Sequence, residues 1–293
     1  MTMSSKINQP EKSTVGRRAL MGAASVAALA GFAGAASASN QKPTAGPKSS
    51  LAFVLVHGAW HGSWCWQRVA ELLRQSGHRV FTPTLTGLAD RSHLFDPAIG
   101  LKTHIDDVAN LIRWEDLNNV VLCGHSYGGM VISGVTQELE SRIKGVVYLD
   151  AFVAEPNKSL MDMFAPVVRE RIEKLVGAAK QIAPTPAKVL MVNPKDEAWV
   201  DAKCTPQPFK TFTDTLLVTD AVARVKTRHF IRAAKYNSDS FRVQAAKLMQ
   251  QGGWRFTDMP YGHDLMVDAP EELAQLLVET ARASQLTSGS TAS

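Results

Sequence analysis

Short apolar runs alternate with helical stretches along most of the chain, and this alternation limits the folds open to it more than any other feature. Residues 51–56, 119–123 and 143–149 are nearly continuous apolar runs, which is typical of strands buried on both faces of a parallel sheet. Further strands are predicted over residues 78–82, 228–232 and 254–257, and helices over residues 64–76, 103–113, 128–139, 240–250 and 271–283. We therefore predict an α/β fold with a mostly parallel sheet covered by helices on both faces.

The alternation breaks between residues 155 and 225. There a helical stretch over residues 167–179 is mixed with proline-rich pieces at residues 183–186 and 205–208. We interpret this segment as an inserted helical cap over the carboxyl edge of the sheet. Five of its side chains are expected to line an apolar pocket: Met163, Phe164, Trp199, Phe209 and Phe212.

The amino terminus has the layout of an export signal. Arg17 and Arg18 precede an uncharged, Ala- and Gly-rich run that contains Ala-Ser-Ala at residues 36–38, a site suited to a signal peptidase. The paired arginines resemble the bacterial twin-arginine signal. We predict a signal peptide over residues 1–38, a linker over residues 39–50 and a periplasmic or secreted protein. A retained membrane anchor is the alternative, but the run is only weakly hydrophobic.

The mature chain is expected to fold as one domain over residues 51–283, followed by a tail at residues 284–293. Its charge is low, because the first 38 residues hold a net +3 of the formal +5. This small remainder gives no support for a nucleic-acid partner. The three cysteines form no CxxC pattern and are an odd number, so neither a zinc site nor a disulfide framework is predicted.

One pentapeptide points to a nucleophile. Residues 124–128 have the sequence GHSYG, which fits the G-x-S-x-G pattern. An apolar strand precedes it and a helix follows it, as a sharp strand-to-helix turn that exposes a serine requires. The small glycines relieve the crowding at such a turn. Ser126 is therefore the candidate nucleophile.

A serine hydroxyl needs a base to accept its proton. His263 lies late in the chain, on a loop after the last predicted strand, and is the candidate base. His57, His61 and His125 are interpreted as packing or hydrogen-bonding residues beside the turns. Four other histidines are predicted to be surface or strand residues: His78, His93, His104 and His229.

The acid that would orient the base has several candidates. Asp150 directly follows the strand over residues 143–149 and is favoured, because it would emerge at the same sheet edge as the nucleophile. Asp239 is the alternate acid, although it also suits the start of a helix. Asp258 and Asp264 remain as remote options. Asp150, Asp239 and Asp258 keep the chain order Ser, acid, His, whereas Asp264 directly follows His263.

An acyl-transfer reaction also needs donors for the developing oxyanion. The backbone N–H of Tyr127 opens the helix after the nucleophile and is one candidate. The turn after the first strand, residues 57–60, should supply the second, and Ala59 is our choice.

Residues 53–66, residues 124–129 and the Gly262-His263 pair together resemble the plant methyl esterase and hydroxynitrile lyase family of α/β-hydrolases, which includes bacterial carboxylesterases. The resemblance covers most of residues 51–283 and is weakest in the cap. It implies the α/β-hydrolase fold, a Ser-His-acid triad and no cofactor or metal. Carried over by position, it assigns Ser126 as nucleophile, His263 as base, and Ala59 and Tyr127 as oxyanion donors.

Two positions separate the branches of that family. Its lyases carry Thr in place of Gly58 and Lys directly after the base, where this chain has Asp264. An acidic residue there would repel a cyanide leaving group. Both positions favour an esterase. The slot where the family usually carries its acid appears empty in this chain.

The leading hypothesis is an exported serine carboxylesterase that hydrolyses a small apolar ester. Hydroxynitrile lyase or perhydrolase chemistry on the same residues is the first alternative. A non-catalytic ligand-binding protein on a hydrolase fold is the second. Composition and pattern give neither the identity of the ester nor the oligomeric state.

Overall fold

The first apolar run forms a strand, β1 (Ala52–Val56), that is buried along its whole length. The computed structural model describes residues 51–217, 220–236 and 238–286, without the side chains of residues 284–286. The signal, linker and most of the tail lie outside these residues and stay predictions. Seven more strands follow: β2 (Arg79–Phe81), β3 (Val120–His125), β4 (Ile143–Leu149), β5 (Gln181–Ile182), β6 (Gln207–Pro208), β7 (Thr227–Ala233) and β8 (Arg255–Met259).

Six of these strands form one parallel sheet in the order β2-β1-β3-β4-β7-β8. The carboxyl ends of parallel strands meet at the same edge. The residues that follow β1, β3, β4 and β8 therefore converge there. The short strands β5 and β6 form a separate antiparallel pair.

Eleven helices lie in the described part of the chain, and three short 3-10 helices accompany them at Ser63–Trp66, Ala89–Leu94 and Glu140–Arg142. The α-helices are α1 (Gln67–Gln75), α2 (Leu101–Trp114), α3 (Gly128–Leu139), α4 (Leu160–Met163), α5 (Pro166–Lys174), α6 (Glu197–Lys203), α7 (Lys210–Thr213), α8 (Ala221–Arg224), α9 (Asp239–Gln251), α10 (Leu265–Asp268) and α11 (Pro270–Leu286). None of the described helices is long and apolar enough to span a membrane.

The sheet is covered on both faces. Successive residues of β1 alternate between the two faces, as a strand requires. Phe53 and Leu55 join the core cluster that contains α1 and α11. Val54 and Val56 join the cluster that contains α2, α3 and α9. The predicted α/β architecture is confirmed.

The segment between β4 and β7 contains α4 to α8 and the β5–β6 pair, which is where the insertion was expected. The predicted helix over residues 167–179 is wrong in extent, because α5 ends at Lys174. Beyond it Val176 bridges to Ile182, and the N–H of Gly177 donates to the carbonyl of Gln181. These backbone groups are used for pairing with β5, so they cannot continue the helix.

Candidate active site

The turn after β3 places Ser126 at the carboxyl edge of the sheet. Ser126 has a positive φ of 53°, a strained conformation for a residue with a side chain. Its N–H donates to the carbonyl of Leu149 at 3.2 Å, and its carbonyl accepts from the N–H groups of Gly129 and Phe152. Ser126 is partly exposed, whereas His125 and Tyr127 on either side of it are buried.

Gly124 shows why this turn excludes larger residues. A Cβ atom on Gly124 would lie 2.6 Å from the carbonyl oxygen of Gly128. That oxygen belongs to the backbone and cannot rotate away. We call residues 124–129, held in this way, the elbow.

Asp150 follows β4 directly and reaches His263. The Nδ1–H of His263 donates to Oδ2 of Asp150 at 2.6 Å, and the N–H of Ala233 donates to Oδ1 at 3.1 Å. Asp150 is 1% exposed, and burial raises its pKa above the ordinary value of 3.8 although the bond from His263 opposes the shift. Because Nδ1 carries the proton, Nε2 of His263 is left free to accept one.

The other candidate acids lie elsewhere. Asp239, the alternate acid, begins α9 and its exposed carboxylate pairs with Arg242 at 2.7 Å. Asp258 pairs with Arg232. Of the two acids weighed most closely in the sequence, the structure brings Asp150 to His263 and leaves Asp239 on a helix start.

His263 is packed among rings that link it to the elbow. The ring of His125, the residue before Ser126, lies 4.5 Å from that of His263 between centroids, and Nε2–H of His125 donates to the carbonyl of His263 at 3.1 Å. Tyr236 and Phe241 lie 4.7 and 5.3 Å from the His263 ring. His263 is therefore 5% exposed and confined to a narrow orientation.

Ala59 lies in the turn after β1, beside Ser126. A Cβ atom on Gly58 would come within 3.0 Å of the Ser126 Cβ and 2.7 Å of Nδ1 of His125. The turn therefore passes directly against the elbow. The N–H of Tyr127 stands at the start of α3, where the helix dipole also favours negative charge.

His57 holds the peptide that joins Gly58 to Ala59. Its Nε2 accepts from the N–H of Leu85 at 3.0 Å, so the proton lies on Nδ1, which donates to the carbonyl of Gly58 at 2.8 Å. Burial lowers the pKa of His57 from 6.5 to about 3. His57 is therefore neutral at physiological pH.

His61, in the same turn, is charged. Its Nδ1 faces the carbonyl of Ala59 at 2.7 Å and its Nε2 faces Oδ2 of Asp264 at 3.0 Å. Both partners are acceptors, so both ring nitrogens must donate. Burial lowers the pKa of His61, but the charge of Asp264 outweighs this and holds it well above 6.5. Although burial raises the pKa of Asp264, His61 holds it far below 3.8.

The ion pair between His61 and Asp264 changes two expectations from the sequence. Asp264 is 0% exposed and balanced by His61, so the repulsion of a cyanide leaving group expected from Asp264 gains no support. His61 was interpreted as a packing or hydrogen-bonding residue; it is hydrogen bonded, but its partner Asp264 also makes it one half of an ion pair. Nothing in the sequence marked the pairing, since the two residues are 203 positions apart.

His104 was expected at the surface or in a strand, and that expectation is wrong. It lies in α2, is 0% exposed, and its Nε2–H donates to the carbonyl of Thr86. Its Nδ1 accepts from the hydroxyl of Tyr127 at 2.9 Å. The apolar spacing of α2, with Leu101, Ile105 and Val108 on its buried face, could have placed His104 inside.

The cap aromatics divide between the two faces of the sheet. Phe212 stacks on Tyr127 with centroids 5.7 Å apart and lies 6.3 Å from Phe164. Met163 and Phe209 pack against the same core cluster. Trp199 is different, because it packs against Trp64 in the opposite cluster. In the described part of the chain, no group of three or more His, Cys, Asp or Glu side chains could hold a metal ion.

Comparisons with known proteins agree with this fold. A family model described as the alpha/beta hydrolase family matches residues 53–276. A carbendazim hydrolyzing esterase from Nocardioides sp. is 41% identical over 235 residues, which cover 77% of this chain and 97% of that protein. Methyl jasmonate esterase 1 of Vitis vinifera is 27% identical over 176 residues, or 56% of this chain and 65% of the relative.

Solved structures share the fold. An extracellular alpha/beta-hydrolase from a Paenibacillus species superimposes with a TM-score of 0.71 at 24% identity, covering 79% of this chain and 99% of that one. A pyrethroid hydrolase from Sphingobium faniae JZ-2 superimposes with a TM-score of 0.65 at 21% identity, covering 80% of this chain and 98% of that one. At these identities the likeness concerns the fold alone.

Proposed function

The chain belongs to the alpha/beta hydrolase family, and from this membership we propose that it is a serine hydrolase that cleaves a small apolar carboxylic ester through an acyl-enzyme. The family resemblance inferred from the sequence is thereby confirmed. An esterase function is supported by relatives that are themselves esterases. The serine mechanism and the kind of ester are our proposal.

One observation carries the proposed mechanism. The bond of 2.6 Å between Asp150 and Nδ1 of His263 lies at the sheet edge where Ser126 leaves β3. A buried carboxylate on Nδ1 fixes the tautomer of the ring and stabilises the imidazolium that forms during the reaction. His125 contacts both the base and the nucleophile's turn, which supports their approach.

The reaction has two halves. Ser126 Oγ attacks the ester carbonyl carbon while its proton passes to Nε2 of His263, and the carbonyl π electrons move onto the oxygen. The N–H groups of Ala59 and Tyr127 stabilise that oxyanion. Collapse of the intermediate expels the alcohol, which takes the proton from His263. Water then repeats the sequence on the acyl-enzyme, releasing the carboxylic acid and free Ser126.

The lyase alternative is less well supported. The lyases of the family carry Thr in place of Gly58, and a Cβ at Gly58 would lie 2.7 Å from Nδ1 of His125. A threonine would therefore require the His125 ring to shift.

The proposal is tested by an ester panel. The full chain is assayed against p-nitrophenyl esters of increasing acyl length, with carbendazim and methyl jasmonate included because relatives are named for them. We expect turnover of the short esters, labelling of Ser126 by a fluorophosphonate, and no turnover above background in Ser126→Ala. Turnover that persists in Ser126→Ala contradicts the proposal. Mandelonitrile cleavage without ester turnover would favour the lyase instead.

The same assay tests whether Asp150 is the acid that orients His263. Asp150→Asn is expected to lower kcat about 10⁴-fold, because His263 then loses its fixed tautomer. Asp239→Asn is the matched control and should leave kcat within about twofold, because exposed charge pairs contribute little. Equal losses in the two variants would refute the assignment of Asp150.

A further inference from the structure

The residue after the proposed oxyanion donor is held in a strained conformation. Trp60 has a positive φ of 69°, a region that residues with a side chain seldom occupy unless their surroundings hold them there. Ala59, which supplies the proposed donor N–H, directly precedes it. Whatever holds Trp60 therefore fixes the turn that carries the donor.

The cap holds Trp60 at three atoms. The N–H of Trp60 donates to Oε1 of Gln207 at 3.1 Å, and the indole N–H donates to the carbonyl of Ile182 at 3.2 Å. The carbonyl of Trp60 accepts from the N–H of Thr205 at 2.9 Å. All three partners lie in or beside the short strands β5 and β6 of the insertion.

Gln207 is the one side chain among these three partners, and its amide can point only one way. Its Nε2 donates to Oγ1 of Thr211 at 2.7 Å, and the hydroxyl of Thr211 donates onward to the carbonyl of Pro208 at 2.6 Å. A flipped amide would present N–H groups to the N–H of Trp60, which pairs donor with donor. Gln207 is 0% exposed, so water cannot replace these bonds.

Gln207 and His61 hold opposite ends of one peptide unit. The carbonyl of Ala59 accepts from Nδ1 of His61 at 2.7 Å, and the N–H of Trp60 donates to Gln207. With both ends bonded, the plane of this peptide cannot rotate. The preceding unit, which carries the N–H of Ala59, meets it at the Cα of Ala59 and is itself held at the carbonyl of Gly58 by Nδ1–H of His57.

We propose that Gln207 is a positioning residue that fixes the oxyanion donor at Ala59, and thereby ties the placement of the cap to catalysis. The inference rests on the proposed serine hydrolase function. Gln207 acts through Trp60 and touches no reacting atom in this account. It should therefore affect the stabilisation of the transition state and leave ground-state binding of the ester largely unchanged.

The test compares Gln207→Met with the wild type on the ester turned over fastest. Methionine has a similar length but offers no strong acceptor to the N–H of Trp60. Loss of a whole oxyanion donor costs about 100- to 1,000-fold in rate, so we expect misorientation of one donor to lower kcat about 10-fold. KM should stay within about twofold, because the ester's ground state does not use the oxyanion donors fully.

A boronic acid inhibitor supplies the second readout. Its boron accepts an electron pair from Ser126 Oγ while the hydroxyl proton passes to Nε2 of His263, and the tetrahedral boronate places an oxygen where the oxyanion would lie. Its affinity should fall by the same factor as kcat in Gln207→Met. A residue that merely stabilises the cap would not shift kcat and boronate affinity together while sparing KM.

Two further variants separate positioning from general damage. Gln207→Glu keeps an acceptor oxygen for Trp60, and its buried carboxyl, kept protonated by burial, can still donate to Thr211. We expect it to restore kcat to within about threefold of the wild type. Thr280→Val removes a buried hydroxyl that bonds His229 at 2.7 Å, far along the chain in α11, and should leave kcat and boronate affinity unchanged.

Three results would overturn the inference. They are a kcat in Gln207→Met within twofold of the wild type, a boronate affinity that does not change, or an equal loss of kcat in Thr280→Val. If Gln207→Met does not fold, Gln207→Asn replaces it, because its amide is one methylene too short to reach Trp60. Ser126 labelling and ester turnover in the wild type keep this outcome separate from failure of the proposed function.

Discussion

The elbow after β3 and the turn after β1 meet at the same edge of the sheet but are held in different ways. The elbow is held by its own backbone, through bonds of Ser126 to Leu149, Gly129 and Phe152. The turn over residues 57–61 is held largely by side chains: those of His57 and His61 within it, and those of Gln207 and Asp264 from distant parts of the chain. The difference decides how each part of the site responds to substitution.

The elbow tolerates almost no added side-chain atoms, because the backbone atoms that they would clash with cannot rotate away. Side-chain bonds can be removed one at a time and replaced by similar groups. We therefore expect an elbow substitution to disrupt the whole site. A substitution around the turn should instead produce graded effects.

Among the substitutions that compare the elbow with the turn, Gly124→Ala is expected to cause the largest loss of activity. The new methyl group would lie 2.6 Å from the carbonyl oxygen of Gly128 and 3.0 Å from the N of Gly129, so the elbow must open. A displacement on the order of 1 Å costs about 100-fold in rate, and overpacking costs about 1–3 kcal/mol of stability. Ester turnover and urea unfolding measure the two losses.

Gly145→Ala is the matched control for that experiment. It introduces the same methyl group into the neighbouring strand β4, where the nearest atom, Cβ of Thr227, lies at an ordinary 3.4 Å. We expect unchanged turnover and a stability equal to or slightly above that of the wild type, since alanine suits a strand interior better than glycine. Equal losses at Gly124 and Gly145 would show that the elbow has no special intolerance.

A loss of stability, with a smaller loss of activity than at the elbow, is expected when a side chain that holds the turn is removed. Asp264→Ala removes the carboxylate from His61, which is 1% exposed. Breaking a buried ion pair by deleting one partner typically costs about 3–5 kcal/mol, and we expect the lower end because His61 can lose its proton. Unfolding at pH 7 measures the loss, and NMR titration of His61 should show its pKa falling below 6.5.

Asp264→Asn provides the contrast. Its amide can donate to Nε2 of a neutral His61, whose Nδ1–H remains on the carbonyl of Ala59, so the geometry of the turn is kept. We expect this variant to retain most of the stability that Asp264→Ala loses. If Asp264→Ala and Asp264→Asn lose the same free energy of unfolding, then the charge of Asp264 and not its hydrogen bond holds the turn. The turn would then not differ from the elbow in the way proposed here.

The same difference explains which features could be predicted from the sequence. The bounds of α3 and β4 were predicted to the residue, and the strand-to-helix turn around Ser126 was placed correctly, because periodicity and the GHSYG pattern are local signals. The bonds from Gln207 to Trp60 and from Asp264 to His61 join positions 147 and 203 apart. No local pattern announces such a bond, because each partner alone resembles an ordinary polar residue.

Short elements set by tertiary contacts were also beyond local signals. Helix α10, which begins two residues after His263, was not predicted, and α5 was predicted too long. The candidate acid could be predicted only in part from the sequence. The position of Asp150 after β4 favoured it, but the choice over Asp239 depended on where β7 and β8 placed His263, which spacing along the chain does not give.

The smallest effect expected concerns pH and compares two histidines of the same turn. The pKa of His57 is lowered to about 3 by burial, so below pH 6.5 the unfolded chain binds a proton there that the folded chain does not. Stability is therefore lost as the pH falls, by about 2 kcal/mol between pH 7 and 5. His61 has the opposite linkage, because Asp264 holds its pKa well above 6.5 in the folded state. It contributes its full stabilisation below pH 6.5 and loses it as the pH rises through the raised pKa.

Unfolding free energies at pH 7 and 5 should therefore separate the two positions. In His57→Gln the loss of stability between these pH values should shrink by about 2 kcal/mol relative to the wild type. In His61→Gln it should grow slightly, by less than about 1 kcal/mol. Burial also lowers the pKa values of His104 and His229 to about 4. These two histidines reduce the stability of both variants by the same amount between pH 7 and 5, so they do not affect the difference between the variants. A change of the same sign at both positions would mean that His61 is neutral in the folded protein. The turn would then be held by neutral hydrogen bonds alone, and Asp264 would have to share a proton with His61.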